Sequence, residues 1–289
     1  MKFGKVNNPG EIDFKLPEDN MRTEKILSKQ GNQDTPNIYV GCAKWNRQDL
    51  KNFYPRGTKD ELAYYSTQFN SIELNATFYR IFPPEQFAKW KDKTPENFKF
   101  FPKISGDISH SKRLSGVEPI VDEYIYAVSQ LEDRLGSIFL QMHQNFAPKD
   151  FDRVVRFVEY WPKEIPLAIE FRHTDWYNDQ NVSNELFDLL EKHNVTNVLV
   201  DSAGRRDLLH MSLTTETAFV RYVGANHSTD YTRLDDWIER LKKWIENGIK
   251  NICFFVHQNE EIESPVLSKY FITELNKLGF GLKVPELLS

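Results

Sequence analysis

Short apolar segments, rich in β-branched and aromatic residues, alternate along the chain with longer amphipathic segments. In the amphipathic segments apolar residues recur at intervals of three and four, as in Leu186, Leu189 and Leu190, which predicts helices. The short apolar segments have the length and composition of strands. The predicted strands are Ile38–Ala43, Ser71–Asn75, Phe98–Lys103, Ser137–Met142, Leu167–Phe171, Asn197–Asp201, Ala218–Tyr222 and Asn251–Val256. The predicted helices are Lys59–Phe69, Pro84–Trp90, Pro119–Leu135, Lys149–Tyr160, Val182–His193, Arg233–Asn247 and Ser264–Leu278.

Strands that alternate with helices predict a parallel sheet with right-handed crossovers. Eight such units in about 250 residues are typical of a closed (β/α)8 barrel of the TIM type. An open doubly wound sheet is the rival arrangement, but no G-x-G-x-x-G turn follows the first predicted strand. The sequence therefore predicts an α/β protein with a TIM-type barrel. We expect an irregular connection between strands six and seven, where Ser202–Leu213 contains at most a short helical turn.

The beginning of the chain lacks this regular pattern. It is polar, contains the turn-forming sequences Asn7-Asn8-Pro9-Gly10 and Gly31-Asn32-Gln33-Asp34, and shows only weak helical periodicity near Met21–Leu27. We therefore predict a partly irregular N-terminal extension over residues 1–36 and a single barrel domain over residues 37–289.

Composition narrows the class of protein. Hydrophobic residues make up 40% and charged residues 27% of the chain, which is typical of a globular protein with a core. The net charge of −5 argues against binding to extended nucleic acid. No apolar segment approaches the ~20 residues of a membrane span, and no apolar signal core follows Met1, so we expect a cytoplasmic protein that does not bind membranes. Cys42 and Cys253 lie in apolar segments and are predicted core residues.

The C-terminal ends of the strands carry the active site in barrels of this type, so the last residues of each predicted strand are site candidates. Successive side chains of a strand point to opposite faces, which places Glu73 and Asn75 together on the inner face of strand two. The same alternation places Glu170 and Arg172 together on strand five. A carboxylate inside a barrel is costly unless a cation or hydrogen bonds compensate it. The candidate cations are Lys103, Arg172 and Arg221.

Carboxylates, cations, an imidazole and aromatic rings that converge on one barrel mouth favour acid/base chemistry. The predicted catalytic residues are Glu73, Glu170 and His173. The predicted substrate-binding residues, which hold polar groups of the ligand or stack on it, are Asn75, Lys103, Arg172, Arg221, Trp45, Tyr79, Trp176 and Asp201.

Each of these residues also has a structural interpretation. Glu73 and Glu170 can belong to a closed ion-pair network that only fills the barrel mouth. His173 can hydrogen-bond its own loop, and Asp201 can cap the loop that follows strand six. The three aromatic residues can serve as packing rather than as walls of a ligand site.

No strong metal motif, such as H-x-H or H-E-x-x-H, occurs in the chain, so we predict no metal ligands and no cofactor. A divalent metal is kept as an alternative, because carboxylates and imidazoles at the predicted strand ends are metal-ligand types.

Several segments, taken in order, carry a family resemblance. They are Gly41-x-x-x-Trp45, Phe53-Tyr54-Pro55-x-Gly57, Leu62-Ala63-Tyr64-Tyr65, Glu73-x-Asn75-x-Thr77-Phe78-Tyr79-Arg80, Thr94-Pro95-x-x-Phe98-x-Phe100-x-x-Lys103 and Glu170-Phe171-Arg172-His173-x-x-Trp176. From about residue 38 to the C-terminus the chain resembles the YecE-like family, domain-of-unknown-function family seventy-two. The resemblance implies a TIM-type barrel and no particular reaction.

The sequence departs from the pattern of that family on strands one, seven and eight. Lys44 stands where the family usually has a second glycine, Val223 precedes Gly224 where a histidine is usual, and His257-Gln258-Asn259 replaces an Asn-Asn pair. The motifs on strands two and five are intact.

Three functions fit these observations. The first is an enzyme, of the hydrolase, lyase or isomerase type, that acts on a small phosphorylated, carboxylated or sugar-like substrate. The second is a non-catalytic module that binds a phosphate, a nucleotide or the end of a nucleic acid. The third is a degenerate barrel that serves as a scaffold. The oligomeric state is left open.

Overall fold

The computed structural model describes residues 4–28 and 35–288. Predictions for residues 1–3, 29–34 and 289, including the turn at Gly31-Asn32-Gln33-Asp34, lie outside this part of the chain. The described residues contain eight strands: β1 (Asn37–Cys42), β2 (Ser71–Leu74), β3 (Lys99–Pro102), β4 (Ile138–Gln141), β5 (Leu167–Glu170), β6 (Thr196–Ser202), β7 (Thr217–Gly224) and β8 (Asn251–Gln258). Each coincides with a predicted strand to within a few residues.

Helices connect the strands, as the apolar periodicity predicts. They are α1 (Met21–Ser28), α2 (Glu61–Gln68), α3 (Ala76–Tyr79), α4 (Pro84–Asp92), α5 (Glu118–Val128), α6 (Phe151–Tyr160), α7 (Asp175–Asn178), α8 (Gln180–Lys192), α9 (Thr229–Glu246) and α10 (Ser264–Asn276). The predicted helix Pro119–Leu135 is shorter than expected: α5 passes into a 3-10 segment, Ser129–Arg134, in which Glu132 has φ 48°. That backbone angle breaks the run of helical hydrogen bonds.

The strands form the predicted TIM-type barrel. Six parallel strands are hydrogen-bonded in the order β1-β8-β7-β6-β5-β4, and β2 pairs in parallel with β3. Single bridges between Phe100 and Leu135 and between Lys103 and Phe139 join β3 to β4.

The seam between β1 and β2 is closed by side chains rather than by a backbone ladder. The Asn70 amide accepts from the Val40 backbone N–H at 2.9 Å and donates to the Ile38 carbonyl at 2.7 Å. The Tyr65 hydroxyl accepts from the Cys42 N–H at 2.8 Å and donates to the Ser71 carbonyl at 3.1 Å. These contacts satisfy backbone groups that a ladder would otherwise pair.

Gly41 allows this seam to close. A Cβ atom at Gly41 would lie 2.1 Å from the Ser71 carbonyl oxygen, a separation that no side chain can occupy. The glycine of the first family motif is therefore required by the close approach of two strands.

The barrel interior has an aromatic layer beneath a polar layer. Phe101, Phe139, Phe219 and Phe255 pack with ring centroids 4.8–5.9 Å apart. Two residues further along the same strands, on the same face, the interior becomes polar. The residues at these positions are Lys103, Gln141, Arg221 and His257.

The connection from β6 to β7 contains one short 3-10 turn, Arg206–Leu208, and lacks a helix of greater length, as predicted. The N-terminal helix α1 packs over this connection. Thr23 joins α1 to it, because its hydroxyl donates to the Met211 carbonyl at 2.8 Å and accepts from the Leu213 N–H at 2.8 Å. Ile26 and Leu27 of α1 are buried.

Ion pairs fix the same N-terminal segment to the two neighbouring barrel helices. Arg22 binds Asp188 and Glu191 of α8, with the contact to Glu191 at 2.6 Å. Asp19 binds Arg240 of α9 at 2.7 Å and also contacts Lys243 and Trp244 of that helix. The segment before β1 therefore occupies the place of the missing helix between β6 and β7.

Candidate functional site

Arg221 of β7 lies at the centre of the polar layer inside the barrel. It is fully buried and binds Glu73 through two parallel contacts, Nε to Oε2 and Nη2 to Oε1, each 2.8 Å long. Its third nitrogen, Nη1, donates to Glu170 Oε2 at 2.6 Å. Because all three guanidinium nitrogens bind carboxylates, Arg221 links β2, β5 and β7 across the barrel.

Glu170 is surrounded by donors on its remaining side. The Gln141 amide donates to both carboxylate oxygens, at 3.0 and 2.9 Å, and Arg172 Nε donates to Oε1 at 2.5 Å. Glu73 receives a further bond from the Asn75 amide at 2.8 Å. The two glutamates thus have the cationic partners that the period-two pattern predicts.

These contacts hold both carboxyl groups ionised. Burial alone would raise the pKa of Glu73, but the charges of Arg221 and His257 outweigh it and keep this pKa well below its ordinary value. Burial alone would also raise the pKa of Glu170, but the charges of Arg172 and Arg221 outweigh burial and lower this pKa to about 2. A carboxylate held in this way is an electrostatic anchor and a weak base.

His257 lies beside Glu73 in the same layer and is buried. Its Nε2 is 3.1 Å from Glu73 Oε2 and 3.3 Å from Arg221 Nη2. Its Nδ1 has no hydrogen-bond partner among the described residues and lies 3.7 Å from Glu261 Oε1. Burial would lower the pKa of His257, but the neighbouring Glu73 and Glu261 carboxylates raise it above the ordinary value. The imidazole is therefore biased toward its protonated form.

Lys103 follows β3 and occupies the other side of the layer. Its side-chain Nζ donates to Gln141 Oε1 at 2.8 Å and lies 4.4 Å from the Phe78 ring centroid. Burial, with the nearby positive charges of Arg221 and Arg172, lowers the pKa of Lys103 to about 7 despite the two glutamates. A substantial fraction of the amine is therefore neutral near neutral pH.

Two side-chain hydroxyl groups fix the backbone of Lys103. The Lys103 carbonyl accepts from the Thr77 hydroxyl at 2.7 Å and from the Tyr124 hydroxyl at 2.9 Å. Thr77 also donates to the Leu74 carbonyl at 2.9 Å, which joins the ends of β2 and β3. The threonine of the strand-two motif therefore positions the lysine.

A polar pocket of about 940 Å³ opens over this layer at the C-terminal mouth of the barrel. Glu73, Lys103 and His257 are its buried titratable lining residues, whereas Tyr79 at its rim is 83% exposed. Trp45 also lines the pocket and packs edge-on against Trp90, with ring centroids 5.5 Å apart. The lining also includes asparagines, acidic residues and lysines: Lys44, Asn46, Asp49, Lys51, Asn75, Asn259, Glu260 and Glu261.

The structure brings eight of the predicted site residues to this mouth and places three elsewhere. The eight are Trp45, Glu73, Asn75, Tyr79, Lys103, Glu170, Arg172 and Arg221. His173 accepts a hydrogen bond from the Asp175 N–H at 3.2 Å, a contact within its own loop. Trp176 is fully buried against Phe171 and donates to the Phe146 carbonyl at 2.7 Å, so it packs in the helix layer.

Asp201 belongs to a second buried cluster outside the barrel. It binds Arg233 of α9 at 2.8 Å, accepts from the Trp237 indole at 2.7 Å and pairs with Arg206. Arg233 also binds Asp230 at 3.0 Å. Val198 and Val200 of β6 belong to the interior cluster, so the alternation turns Asp201 toward the helices.

Two inner residues, Gln141 and His257, are absent from the predicted site set. A repeated pattern signals them in the sequence: phenylalanine, any residue, then a polar residue near a strand end. The four instances are Phe101-x-Lys103, Phe139-x-Gln141, Phe219-x-Arg221 and Phe255-x-His257.

Neither a metal site nor a membrane-spanning helix is found in the part of the chain that the structure describes. Over residues 4–28 and 35–288, no group of three or more His, Cys, Asp or Glu side chains is arranged to hold a metal ion. None of the helices in these ranges is both long enough and apolar enough to cross a bilayer.

The fold and the site define a TIM-type barrel protein with a charged layer inside its C-terminal mouth and a polar pocket above it. Residues 39–287 match the profile of a family described as "Protein of unknown function DUF72", and the chain belongs to this family. It is similar to the UPF0759 protein YecE of Escherichia coli K12, with 25% identity over 262 residues, 83% of this chain and 93% of that protein. It is also similar to the UPF0759 protein YunF of Bacillus subtilis, with 28% identity over 150 residues, 49% and 52% of the two chains.

Crystal structures of DUF72 family proteins share the fold. One, from Enterococcus faecalis, has a TM-score of 0.71 at 20% identity and covers 87% of this chain and 100% of its own. Another, from Thermotoga maritima, has a TM-score of 0.64 at 23% identity and covers 83% and 99%. The resemblance to the YecE-like family is confirmed.

Proposed function

We propose that this protein is an enzyme that moves protons to and from a small polar substrate in the pocket at the barrel mouth. The observation that carries this proposal is the state of two pocket-lining groups, Lys103 and His257. Both retain hydrogen-bonding capacity that no described residue fills. Arg221, in contrast, binds a carboxylate through each of its three guanidinium nitrogens, and Glu170 accepts from Gln141, Arg172 and Arg221. Groups with unfilled capacity beside a cavity are those that a substrate can engage.

Lys103 is assigned as the base. A lysine accepts a proton only as the neutral amine, and at ordinary pKa that form is scarce near neutral pH. Burial and the adjacent guanidinium groups lower the pKa of Lys103 to about 7, close to the pKa that makes a general base most effective. The neutral amine directs one of its two protons to Gln141, so its lone pair and its second proton are left for substrate within the described structure.

His257 is assigned as the acid. Glu73 accepts the Nε2 proton, which fixes the orientation of the ring and leaves Nδ1 as the nitrogen that exchanges a proton with substrate. Glu73 and Glu261 raise the pKa of His257 and thus supply the protonated form. Opposite shifts in two groups of one pocket are the arrangement expected for an acid and a base acting together.

The predicted roles of Glu73 and Glu170 as proton-transfer groups are replaced in this proposal. Both carboxylates are fixed by Arg221 and have lowered pKa values, so each serves better as a preorganised charge. Glu73 acts through His257, which it orients, and Glu170 acts through Arg172 and Gln141. They are positioning residues here.

The substrate that this pocket fits is small and carries hydroxyl or carbonyl groups. Trp45 and Tyr79 offer ring faces and edges, and the Asn46, Asn75 and Asn259 amides can donate or accept. Lysine-mediated proton removal beside a carbonyl is chemistry of the isomerase and lyase classes.

The test is solvent exchange at carbon. Purified protein is incubated in D2O with a panel of small hydroxy-, keto- and phospho-compounds, and loss of C–H signals is followed by proton NMR. A compound handled by the enzyme exchanges with the wild type, and the rate falls roughly 100-fold or more in Lys103→Met and in His257→Gln. Lys89→Met removes an exposed lysine of α4 and is the matched control. Exchange at the wild-type rate in both pocket variants would refute the assignment.

A further inference from the structure

A second group of basic side chains lies near Lys103, beside the lining residues of the pocket. His110 follows β3, His143 follows β4 and Arg172 follows β5, so three adjacent loops contribute. The His110 ring lies 5.2 Å from the His143 ring and 4.8 Å from the Phe78 ring, centroid to centroid. Lys103 Nζ approaches the same Phe78 ring at 4.4 Å. We call His110, His143 and Arg172 the basic cluster.

The basic cluster has a deficit of negative charge. Glu170, the carboxylate that acts on His110 and binds Arg172, also accepts bonds from Gln141 and Arg221. Burial, then the charges of Lys103, His143 and Arg172, lower the pKa of His110 to about 4, and Glu170 offsets them only in part. Positive groups gathered in this way repel one another unless an anion joins them.

The Nε2 atoms of His143 and His110 are the ring nitrogens available to such an anion. His143 Nδ1 accepts from the Asn145 N–H at 3.1 Å, so the neutral ring carries its proton on Nε2, which is a donor. His110 Nδ1 lies 2.9 Å from the Ser109 hydroxyl oxygen, and that hydroxyl donates to the Ser105 carbonyl at 3.1 Å. His110 Nδ1 is therefore the donor to Ser109, and Nε2 is left for a ligand.

We propose that the basic cluster binds the phosphoryl group of a phosphorylated substrate whose reacting carbon lies in the adjoining pocket. This inference rests on the proposed function, and it names the substrate class. Lys103 lies between the two sites and is the base rather than a phosphate ligand, since it lines the pocket and also contacts the Phe78 ring beside His110. A phosphoryl group held by the two histidines would place the rest of a small molecule over the Lys103 amine.

The arrangement favours a phosphoryl group over a carboxylate. Donors from three separate loops surround the site, which matches the three terminal oxygens of a phosphomonoester better than the two coplanar oxygens of a carboxylate. The guanidinium Nε of Arg172, part of the fork that recognises a carboxylate, is already occupied by Glu170. Phosphate sites in TIM barrels are frequently built by the loops after strands seven and eight, whereas this cluster lies after β3, β4 and β5.

Binding of a dianion has a further consequence for His110. The groups that act on its ring are Lys103, His143, Arg172 and Glu170, and the first three disfavour its protonated form. A phosphate dianion reverses that balance, so His110 gains a proton and Nε2 becomes a donor to the ligand. The titration midpoint of His110 should therefore rise when phosphate is bound, a response that a purely structural histidine would not show.

The experiment uses inorganic phosphate as the probe and needs no turnover. The histidine ring signals of the full chain are followed by NMR at constant ionic strength while phosphate is added, and affinity is measured by calorimetry. We expect the His110 and His143 signals to shift together, with His110 titrating at higher pH in the phosphate complex. His143→Gln and His110→Gln should each weaken phosphate binding ~10-fold or more, since each loses a bond to a charged ligand. His193→Gln, at the opposite end of the barrel, should bind as the wild type does.

Each other result overturns the inference. Unmoved His110 and His143 signals at millimolar phosphate, or wild-type affinity in His143→Gln, would exclude an anion site here. Acetate binding as tightly as phosphate would replace the phosphoryl assignment by a carboxylate one. His143 is only half-buried, so its variant keeps the test decisive if His110→Gln fails to fold.

The failures of the two proposals are distinguishable. Phosphate binding is read from His110 and His143 without any reaction, whereas proton transfer is read from solvent exchange in His257→Gln. Exchange that depends on His257 without phosphate binding would leave the proposed function standing and refute the anion site. Phosphate binding without exchange that depends on His257 would leave the anion site standing and refute acid catalysis by His257.

Discussion

Two buried ion clusters lie on opposite sides of strand β7, and they differ in what they leave unsatisfied. Arg221 points into the barrel and binds Glu73 and Glu170, while the next residue, Tyr222, points outward with its ring 4.4 Å from the Arg233 guanidinium. Arg233 binds Asp201 in the outer cluster. Both clusters pair carboxylates with arginine in a nearly dry environment.

The outer cluster is covered by neighbouring side chains, although Arg233 Nε has no hydrogen-bond partner among the described residues. Asp201 is bound by Arg233, Arg206 and the Trp237 indole, and the Phe14 ring lies 4.4 Å from the Arg233 guanidinium. The inner cluster opens on a pocket through Lys103 and His257, two groups with unfilled bonding capacity. Burial of charge therefore does not mark a functional site; burial beside a cavity, with capacity left for a ligand, does.

The largest expected effect is the loss of unfolding free energy when the buried arginine of either cluster is replaced. We expect this effect in both clusters, because each arginine neutralises buried carboxylates. Arg221→Met leaves Glu73 and Glu170 buried without their shared cation, and Arg233→Met does the same to Asp201. We expect each variant to lose ~3–5 kcal/mol of unfolding free energy, measured by urea denaturation. A loss below ~1 kcal/mol for either would mean that water or rearrangement compensates that cluster.

Removal of one acid from each cluster separates them. Glu73→Gln and Asp201→Asn should each cost about 1–3 kcal/mol, because each weakens hydrogen bonds to a charged group. Only Glu73→Gln should lower the pKa of His257, since Glu73 is the neighbour that raises it. The titration of the His257 ring signals by NMR checks this. An equal response to Asp201→Asn would contradict the separation of the two clusters.

Lys103→Met should stabilise the fold while it abolishes proton transfer. Between pH about 7 and 10.5 the lysine is charged in the unfolded chain and mainly neutral in the folded one. The unfolded state then binds more protons, so the lysine's contribution to unfolding free energy rises with pH. We expect the unfolding free energy of Lys103→Met to exceed that of the wild type by roughly 1 kcal/mol or more at pH 7. We also expect the variant to lack the lysine-dependent rise of unfolding free energy with pH. A destabilised variant would indicate a structural lysine, and Lys89→Met is the control.

The smallest effect concerns the cover of the outer cluster. Phe14→Ala removes a ring that contacts the guanidinium groups of Arg233 and Arg206, at 4.4 and 5.5 Å. We expect a loss of about 1 kcal/mol in unfolding free energy, with no change in the solvent exchange catalysed at the pocket. A changed exchange rate would show that the N-terminal segment communicates with the inner cluster.

The inner cluster was largely predictable because strand alternation governs it. The alternation places Glu73, Asn75, Glu170 and Arg172 on inner faces from sequence alone. The same rule turns Asp201 of β6 outward, because Val198 and Val200 supply the inward face of that strand. Position at a strand end, without the face, was the weaker criterion.

The outer cluster was not predictable, for a physical reason. Arg233 lies 32 residues beyond Asp201 on a helix, and its contact depends on how α9 packs against β6. The place of α1 between α8 and α9 was equally hidden, since a short polar helix with two buried aliphatic residues has weak periodicity. Side-chain conformation decides which of the candidate cations Glu73 and Glu170 share, and the sequence pattern does not specify that this cation is Arg221.

The charge state of Lys103 tests the account most directly. The full chain is labelled with carbon-13 at the lysine ε-position, and the Lys103 signal, identified by its absence in Lys103→Met, is titrated by NMR. We expect an apparent pKa of about 7 for this amine, well below its ordinary 10.5. A Lys103 signal that titrates near 10.5 would contradict it, because a lysine fully charged at neutral pH cannot serve as the base.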